Sequence, residues 1–439
     1  MRRQGLHLDQ APPLHLPLRF FLTAPLFAVA AGLVLLWRGS ALLQTTWSPH
    51  TVALTHLLTL GFISMVMCGA LYQIVPVLVG SAVPRLRLAA VVHGGLCVGV
   101  PALAGGLLSG WQWLLPVALA ALGIAWAVFL GQLTLALARA PSVTVTVASI
   151  AVAASSLLLA VSLGLLFAWE LVYGWLPPDR ATLTAVHLYL ALGGWVGTLI
   201  TGVGYALIPM FYLSTPFPRG IAWLVLACQG LMLLTGPLLA WVAPSRWWHL
   251  LPLGLAALAV TVFTGMVWRM LHARRRRISD ATLRFWQVGM LALPLALAAL
   301  AVHVLGQLPR WSLVFGTLYL LGFAGAAING MLYKIVPFLV WLHRFSRHAG
   351  SAEMPLLKDI IAPRHMQWQW RAYALMLVLA TAAAGSGLDV LARLAGLALV
   401  VAFGALALLL FRAARMKLPP AARTPARDRA GETAPPGAR

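Results

Sequence analysis

The stretch that decides the fold is LGFISMVMCGALYQIVPVLV at residues 60–79, which returns as LGFAGAAINGMLYKIVPFLV at residues 321–340. The two stretches are identical at 11 of 20 positions. A third, weaker copy lies between them and keeps two glycines, a tyrosine and a proline in register: Gly194, Gly202, Tyr205 and Pro209 match Gly61, Gly69, Tyr72 and Pro76, and Gly322, Gly330, Tyr333 and Pro337. The copies are offset by 133 and then 128 residues. Self-similarity at near-equal spacing predicts a structural repeat.

The composition is typical of a membrane protein. Of 439 residues, 61% are hydrophobic and 9% are charged, and the mean hydropathy is +0.90. A soluble domain of this size cannot cover itself with so little charge. The net charge of +22 does not indicate nucleic acid, because the basic residues lie in short loops and the tail, where membrane topology places them. We therefore predict a lipid bilayer as the surroundings and no nucleic-acid partner.

Apolar runs long enough to cross a bilayer recur along the chain. They predict about twelve spans, at 20–37, 52–78, 87–109, 112–137, 144–169, 183–212, 219–242, 247–271, 281–304, 311–341, 368–386 and 388–412. The three copies fall on spans two, six and ten. The prediction is an all-α polytopic membrane protein with a pseudo-threefold repeat of four-helix units, about 20–137, 144–271 and 281–412. These units form one transmembrane domain, 1–412.

Arginine-rich and arginine-poor loops alternate. The rich side carries Arg2, Arg3, Arg19, Arg85, Arg87, Arg139, Arg219, the run at 274–277, Arg344, Arg347, Lys358 and Arg364, whereas the other side carries single arginines. The positive-inside rule then places both termini in the cytoplasm of a bacterial inner membrane. The segment 413–439, rich in Pro, Ala and Arg, is predicted to be a disordered cytoplasmic tail. The polar connection from His343 to Gln367 is expected to contain a short surface helix.

Motifs for nucleotide binding or covalent heme attachment are missing. The sequence contains no CxxCH and no Walker A motif. Its three cysteines, Cys68, Cys97 and Cys228, lie singly inside predicted spans, which favours small core residues over a disulfide framework or a zinc site.

Intramembrane histidines carry the chemical information. Burying an imidazole in a bilayer costs free energy unless the ring has a hydrogen-bond or metal partner. Imidazole is also the commonest ligand of heme iron and copper. His56 and His187 lie near the starts of spans two and six, His249 opens span eight, and His303 ends span nine. All four are predicted at one depth, near the outer face. His93 in span three is expected to be deeper.

Each histidine also has a structural interpretation. His249 suits interfacial anchoring, His303 a hydrogen bond to a carbonyl at the interface, and His93 a polar contact between helices. For His56 and His187 a metal or heme role and an interior polar role both stay open.

These two histidines are not equivalent under the repeat. The positions that match His56 are Tyr189 and Thr317, and His187 is offset by two residues, which turns it to another face of its helix.

The repeated Gly and Tyr-x-x-x-Pro elements have two interpretations. As structure, the glycines permit close packing, the prolines bend or end helices near the cytoplasmic face, and the tyrosines anchor at that depth. As function, the same positions line a polar path together with Gln73, Asn329 and Lys334. We favour the structural role, with Lys334 snorkelling to the inner interface.

Twelve spans, three four-helix units and a histidine at the outer start of spans two and six resemble subunit I of the heme-copper oxidase superfamily, which includes cytochrome oxidases, nitric oxide reductases and the NnrS family. In that superfamily a span-two histidine ligates low-spin heme, and His56 matches it. A span-six histidine ligates copper or non-heme iron, and His187 matches it. The resemblance implies heme and copper as cofactors and respiratory or accessory membrane subunits as partners.

The chain departs from the oxidase pattern at two places. Oxidases carry a His-His pair on span seven and His-x-His on span ten, whereas residues 219–242 and 311–341 contain no histidine. The resemblance therefore points to a divergent, NnrS-like member and not to a terminal oxidase. We expect heme at His56, with His303 as the available second ligand, and a copper ion at His187 and His56. The alternative is a cofactor-free transporter or assembly factor that keeps the fold.

Membrane topology gives the first testable prediction. Reporter fusions at Gly350 and at the C-terminus should report the cytoplasm, and a fusion at Pro178 should report the outside, because the arginine-rich loops remain on the cytoplasmic side. Paired phosphatase and fluorescent-protein fusions measure both states at each site. A periplasmic C-terminus would contradict the twelve-span topology. It would also contradict the prediction that the four histidines lie at one depth.

Overall fold

The structure is a computed structural model that describes residues 12–175, 179–242, 245–275, 280–346 and 355–417. These ranges contain helices and no strand. Eleven helices are long and apolar enough to span a membrane, and a twelfth packs among them, so the chain is an all-α polytopic membrane protein. The predicted fold class is confirmed.

The spans are named α1 to α12 in chain order. They are α1 His15–Leu43, α2 Pro49–Leu78, α3 Leu86–Ser109, α4 Leu114–Ala138, α5 Val145–Tyr173, α6 Arg180–Tyr212, α7 Arg219–Val242, α8 Trp247–His272, α9 Ala281–Gly306, α10 Arg310–Arg344, α11 Pro363–Ser386 and α12 Asp389–Arg415. The end of the bundle at which α2, α6 and α10 begin is called the upper end below, and the opposite end is the lower end. A single helical turn, Leu357–Ile360, precedes α11.

α11 is less apolar than the other spans. Arg364, Gln367, Gln369 and Arg371 lie in its first turns. Gln369 is nevertheless fully buried. Its amide Nε2 donates to the Ala402 carbonyl of α12 at 3.1 Å, whereas its Oε1 has no hydrogen-bond partner among the described residues. A buried amide is tolerated when it is hydrogen-bonded. A hydropathy measure alone therefore misses a helix that packs against both α10 and α12.

Three helices lie inside a ring of nine. α2, α6 and α10 contact the helices of their own units, and neighbouring units meet through α4 with α5, α8 with α9 and α12 with α1. Each unit has four spans, so all three units enter the membrane from the same end. The repeat is therefore a rotation about an axis along the bundle and not an inversion.

Glycines set the distance between each inner helix and the first helix of its unit. A Cβ atom added to any of six glycines would lie within 2.9 Å of a side-chain atom on that first helix. The pairs are Gly61 with Phe27, Gly69 with Phe20, Gly194 with Ser156, Gly202 with Ser149, Gly322 with Ala292, and Gly330 with Phe285. In each unit the glycines are eight residues apart and their partners seven apart. The same close packing is thus used three times, as small residues allow in membranes.

The ring closes where α1 meets α12. The backbones approach so closely that a Cβ on Gly32 would lie 2.8 Å from the Gly396 carbonyl oxygen. At the upper end the Arg393 guanidinium donates to the carbonyls of Leu36 and Trp37, at 3.0 Å each. These groups tie the first span to the last.

Each inner helix contains a π-helical segment in the same register. The segments are Leu57–Ser64, Tyr189–Thr198 and Leu318–Gly325. A π turn frees a backbone carbonyl that then needs another donor. Tyr319 donates its hydroxyl to the Leu192 carbonyl at 2.8 Å, and Tyr373 donates to the Leu321 carbonyl. Side chains of neighbouring helices therefore satisfy the distorted backbone.

The repeated tyrosines and prolines differ in part from the prediction. Tyr72, Tyr205 and Tyr333 are buried, so they do not anchor at the membrane interface. Tyr72 instead donates to the Gln132 side-chain oxygen of α4 at 2.7 Å. The prolines lie near the ends of α2 and α6 as expected, whereas α10 continues for seven residues beyond its proline.

Other predicted boundaries agree within a few residues, apart from the tail. α12 continues to Arg415, so residues 413–415 are helical and not disordered as predicted. Residues 418–439 and 1–11 lie outside the described residues, as do 347–354 of the predicted polar connection.

The glycine contacts lead to a stability prediction. Gly202→Ala should lower the free energy of unfolding by about 1–3 kcal/mol, because the methyl group overlaps Ser149. Gly230→Ala on α7 is the matched control, since a Cβ there meets nothing within 4 Å. Unfolding in mild detergent, followed by heat or denaturant, measures both variants.

A compensating change sharpens this test. Ser149→Gly removes the atoms that the new methyl meets, so Gly202→Ala with Ser149→Gly should recover most of the loss. If Gly202→Ala is as harmless as Gly230→Ala, the close contact between α5 and α6 does not exist as described.

Candidate functional site: a histidine pair between two inner helices

His56 lies near the upper end of α2, on the last residue before the π segment. Ser48 caps this helix by accepting the Thr51 backbone N–H at 3.1 Å, and Pro49 follows it. A cap and a proline at the first position fix where the helix begins. The His56 Nδ1 atom lies 2.8 Å from the Val52 carbonyl oxygen one turn earlier.

His187 lies at the corresponding depth of α6. The Asp179 carboxylate caps α6 by accepting the Thr182 backbone N–H at 3.1 Å. The His187 ring reaches across to α5, where its Nδ1 lies 2.9 Å from the Ala160 carbonyl oxygen. Phe167 meets the ring edge-on with centroids 5.9 Å apart. Gly164 lies directly beside it, since a Cβ there would be 3.4 Å from His187 Cε1.

The two imidazole rings lie next to each other between α2 and α6. Their ring centroids are 6.5 Å apart and their planes differ by 28°. A carbonyl oxygen can only accept, so each Nδ1 carries the hydrogen and each neutral ring keeps a lone pair on Nε2. No hydrogen bond joins either Nε2 to another residue in the described ranges. The chain thus presents two ring nitrogens with free lone pairs, and backbone carbonyls fix the orientation of both rings. Proteins hold metal-ligating histidines in this way.

These histidines meet although they are not equivalent under the repeat. Neighbouring helices around a rotation axis contact each other through opposite flanks, so equivalent positions point in the same rotational sense and do not meet. A shift of two residues turns a side chain by about 200° around a helix. The offset noted in the sequence is therefore what brings His187 towards His56.

The other histidines are placed separately. His303 lies at the upper end of α9, where its Nδ1 is 3.1 Å from the Leu308 carbonyl oxygen. Among the described residues it makes no ring contact or hydrogen bond with His56 or His187. Its expected role as second heme ligand stays a prediction.

His93 and His249 lie on other helices. The His93 Nε2 atom is 3.0 Å from the Thr23 hydroxyl, consistent with a polar contact between α3 and α1. His249 precedes the α-helical part of α8. Within the described ranges no three or more His, Cys, Asp or Glu side chains are grouped as a metal cluster would require.

A second link between α2 and α6 lies just below the pair. The Trp195 indole N–H donates to the Ser64 hydroxyl at 2.9 Å, and both side chains are buried. Sequence reasoning missed this bond. The sequence contains a signal for this bond. The positions equivalent to Ser64 are Gly197 and Gly325, so the hydroxyl of Ser64 is a departure from the repeat.

A polar cluster lies at the lower end, far along the helices from the histidine pair. The Lys334 ammonium is 2.7 Å from the Asp280 carboxylate, so it is ion-paired in addition to lying near the helix ends. Asp280 also accepts from the Thr282 hydroxyl at 2.6 Å, and the Tyr212 hydroxyl donates to Thr282 at 3.0 Å. The cluster joins the ends of α6, α9 and α10.

Neighbouring polar positions do not extend this cluster. Asn329 is fully buried, and neither its amide nitrogen nor its carbonyl oxygen has a hydrogen-bond partner among the described residues. The Gln73 side-chain oxygen is likewise unpaired. The connected polar path considered from the sequence is therefore not formed by these side chains alone.

Comparisons with known proteins identify no family for this chain. No protein-family model matches the chain, and no curated protein matches it. The resemblance to heme-copper oxidases therefore rests on the residues described above and remains a prediction.

The charge state of Asp280 leads to a pH prediction. Burial raises the pKa of this carboxyl, but Lys334, Thr282 and the Leu283 backbone N–H together hold it below the ordinary value of 3.8. Stability from a lowered carboxyl pKa is present above the ordinary pKa and is lost as the pH falls through the lowered value. Asp280→Asn should therefore cost about 1 kcal/mol at pH 7 and progressively less below pH 4.

Melting temperatures of the wild type and Asp280→Asn, measured from pH 7 to pH 3, test this prediction. Lys334→Gln, alone and combined with Asp280→Asn, completes a double-mutant cycle. A difference in melting temperature that does not change with pH would show that the carboxylate charge is irrelevant and that Asp280 acts only as a cap.

Proposed function

We propose that this integral membrane protein binds a redox cofactor, heme or a copper ion, between His56 and His187. The observation that carries the proposal is the pair of imidazoles whose Nδ1 atoms are held by carbonyls and whose centroids lie 6.5 Å apart. The two neutral rings cannot hydrogen-bond to each other through Nε2, since neither Nε2 has a hydrogen to donate. A metal cation between the rings would give both Nε2 lone pairs a partner.

The separation fits a bound metal. Two metal–nitrogen bonds of about 2.0–2.1 Å and about 1.1 Å from each nitrogen to its ring centre give about 6.3 Å between centroids. The observed 6.5 Å agrees with that sum.

The protein's contribution is orientation and an apolar setting. Val52 fixes the His56 ring through its own helix, whereas Ala160 and Gly164 hold the His187 ring from α5. Outer-shell partners of this kind fix the tautomer and raise ligand basicity. If heme is the cofactor, His56 and His187 would hold its iron, and the heme would supply electron transfer.

Heme is the first candidate and a copper ion the second. Both accept two imidazoles, and imidazole suits iron and copper alike. The oxidase-like arrangement of three four-helix units supports heme, since the resemblance assigns a heme ligand to the span-two histidine. For heme, this proposal differs from the sequence prediction by pairing His56 with His187 and leaving His303 outside. For copper, it keeps the predicted pair of His187 and His56.

Loss of the cofactor is the alternative, in a transporter or assembly factor that keeps the fold. Many secondary transporters are built from inverted repeats around a midplane site. Here the three units run in the same direction, because each contains four spans. That arrangement gives no support to a transporter of the inverted-repeat kind.

We further propose that the protein acts in respiratory, nitric oxide or copper metabolism, and that it lies in a bacterial inner membrane with both termini in the cytoplasm.

An optical spectrum with metal analysis tests the proposal. Protein purified in mild detergent from cells supplied with heme and copper should show a Soret band of six-coordinate, low-spin heme. His56→Ala and His187→Ala should each reduce heme retention by more than the about 10–100-fold that loss of an outer-shell partner costs. His303→Ala is the matched control and should retain the wild-type spectrum.

Three results distinguish the candidates. Copper bound one-to-one without a Soret band, and lost in both His56→Ala and His187→Ala, would assign the pair to copper. A spectrum that changes in His303→Ala but not in His187→Ala would restore the pairing expected from the sequence. Wild-type protein that is colourless and metal-free would contradict the proposal and favour the cofactor-free alternative.

A further inference from the structure

A cavity of about 80 Å³ lies on the repeat axis, between the three inner helices. From α2 it is lined by Val66, Met67, Ala70, Leu71 and Ile74. The other lining residues of α6 and α10 are the same five positions, 133 residues later and then 128 later again, and Trp286 of α9 completes the wall. The cavity begins immediately below the π-helical segments.

The cavity wall is entirely apolar. A buried water needs two to four polar partners, and a cavity of about 150 Å³ lined by aliphatic and aromatic groups stays dry and takes up benzene or xenon. No polar atom is exposed to the cavity, so its surface offers water no partner. The indole Nε1 of Trp286 is buried and has no hydrogen-bond partner among the described residues. A charged or hydrogen-bonding ligand is excluded for the same reason, because its polar groups would be left unpaired.

The cavity volume limits the size of the occupant. A cavity of about 150 Å³ admits benzene, so about 80 Å³, roughly half of that, admits only molecules of a few heavy atoms. A heme is far too large. This cavity and the histidine pair are therefore separate sites, and the buried bond between Trp195 and Ser64 lies between them.

The fold does not force this space to stay open. Three of the lining positions are small, namely Ala70, Gly204 and Ala327. A Cβ on Gly204 would find its nearest neighbour, Ile208 Cδ1, at 3.5 Å, an ordinary contact. A larger side chain at Ala70 or Ala327 would take up part of this space, and an unfilled void lowers stability in proportion to its volume.

From these observations we infer that the axial cavity is a binding site for a small, uncharged apolar molecule of the size of a diatomic gas. Such molecules concentrate in lipid, so they reach a site inside the helices without an aqueous path. The inference does not depend on the cofactor, because no residue of the histidine pair lines the cavity.

Xenon is the probe, since it is apolar, of similar size and visible by anomalous scattering. Crystals of the wild-type protein under xenon pressure should show one strong site between α2, α6 and α10. Ala70→Leu should abolish that site and leave the melting temperature equal or higher, because the added methyl groups fill the void. If Ala70→Leu does not fold, Val203→Ile provides the test instead. It adds one methyl group and should reduce xenon occupancy.

The His56→Ala variant separates this inference from the proposed function. It should lose cofactor and keep the axial xenon site. Xenon at lipid-facing sites but not on the axis would overturn the inference. Ordered waters or a lipid chain in the cavity of the unpressurised protein would overturn it as well.

Discussion

Close packing at six repeated glycines is the constraint on which the rest of the molecule depends. Each inner helix meets the first helix of its own unit at two glycines, and that contact recurs in all three units. A bilayer supplies little hydrophobic driving force between helices, so the energy must come from packing and from hydrogen bonds. The glycines provide the packing, and they fix the depth and rotation of α2, α6 and α10.

From that placement follow both the histidine pair and the axial cavity. With the helices held in register, the π segments lie at one depth, and His56 and His187 lie at their upper ends. The lower half of the same helices surrounds the cavity with equivalent side chains. Departures from the repeat mark the places where chemistry differs between units: the two histidines, Ser64 and Lys334.

Much of this could be predicted from sequence, because apolar run length and repeated glycines are local signals. The spans, their grouping into three units and the two histidines come from such signals. The π segments could not be predicted, since the residue types in them are those of an ordinary apolar helix. The pairing of His56 with His187, not with His303, depends on which flanks of α2 and α6 meet. The two-residue offset of His187 is visible in the sequence, but it points towards His56 only once it is known which flanks of the two helices meet.

The central claim is that His56 and His187 are ligands of one bound cofactor. The most direct measurement is a cryo-electron microscopy map of protein purified in mild detergent from heme- and copper-supplied cells. If both histidines hold one cofactor, the map will show its density between the two rings, with both Nδ1 atoms still on the carbonyls of Val52 and Ala160. Imidazoles separated by ordinary packing, or joined only by a water molecule, would contradict it.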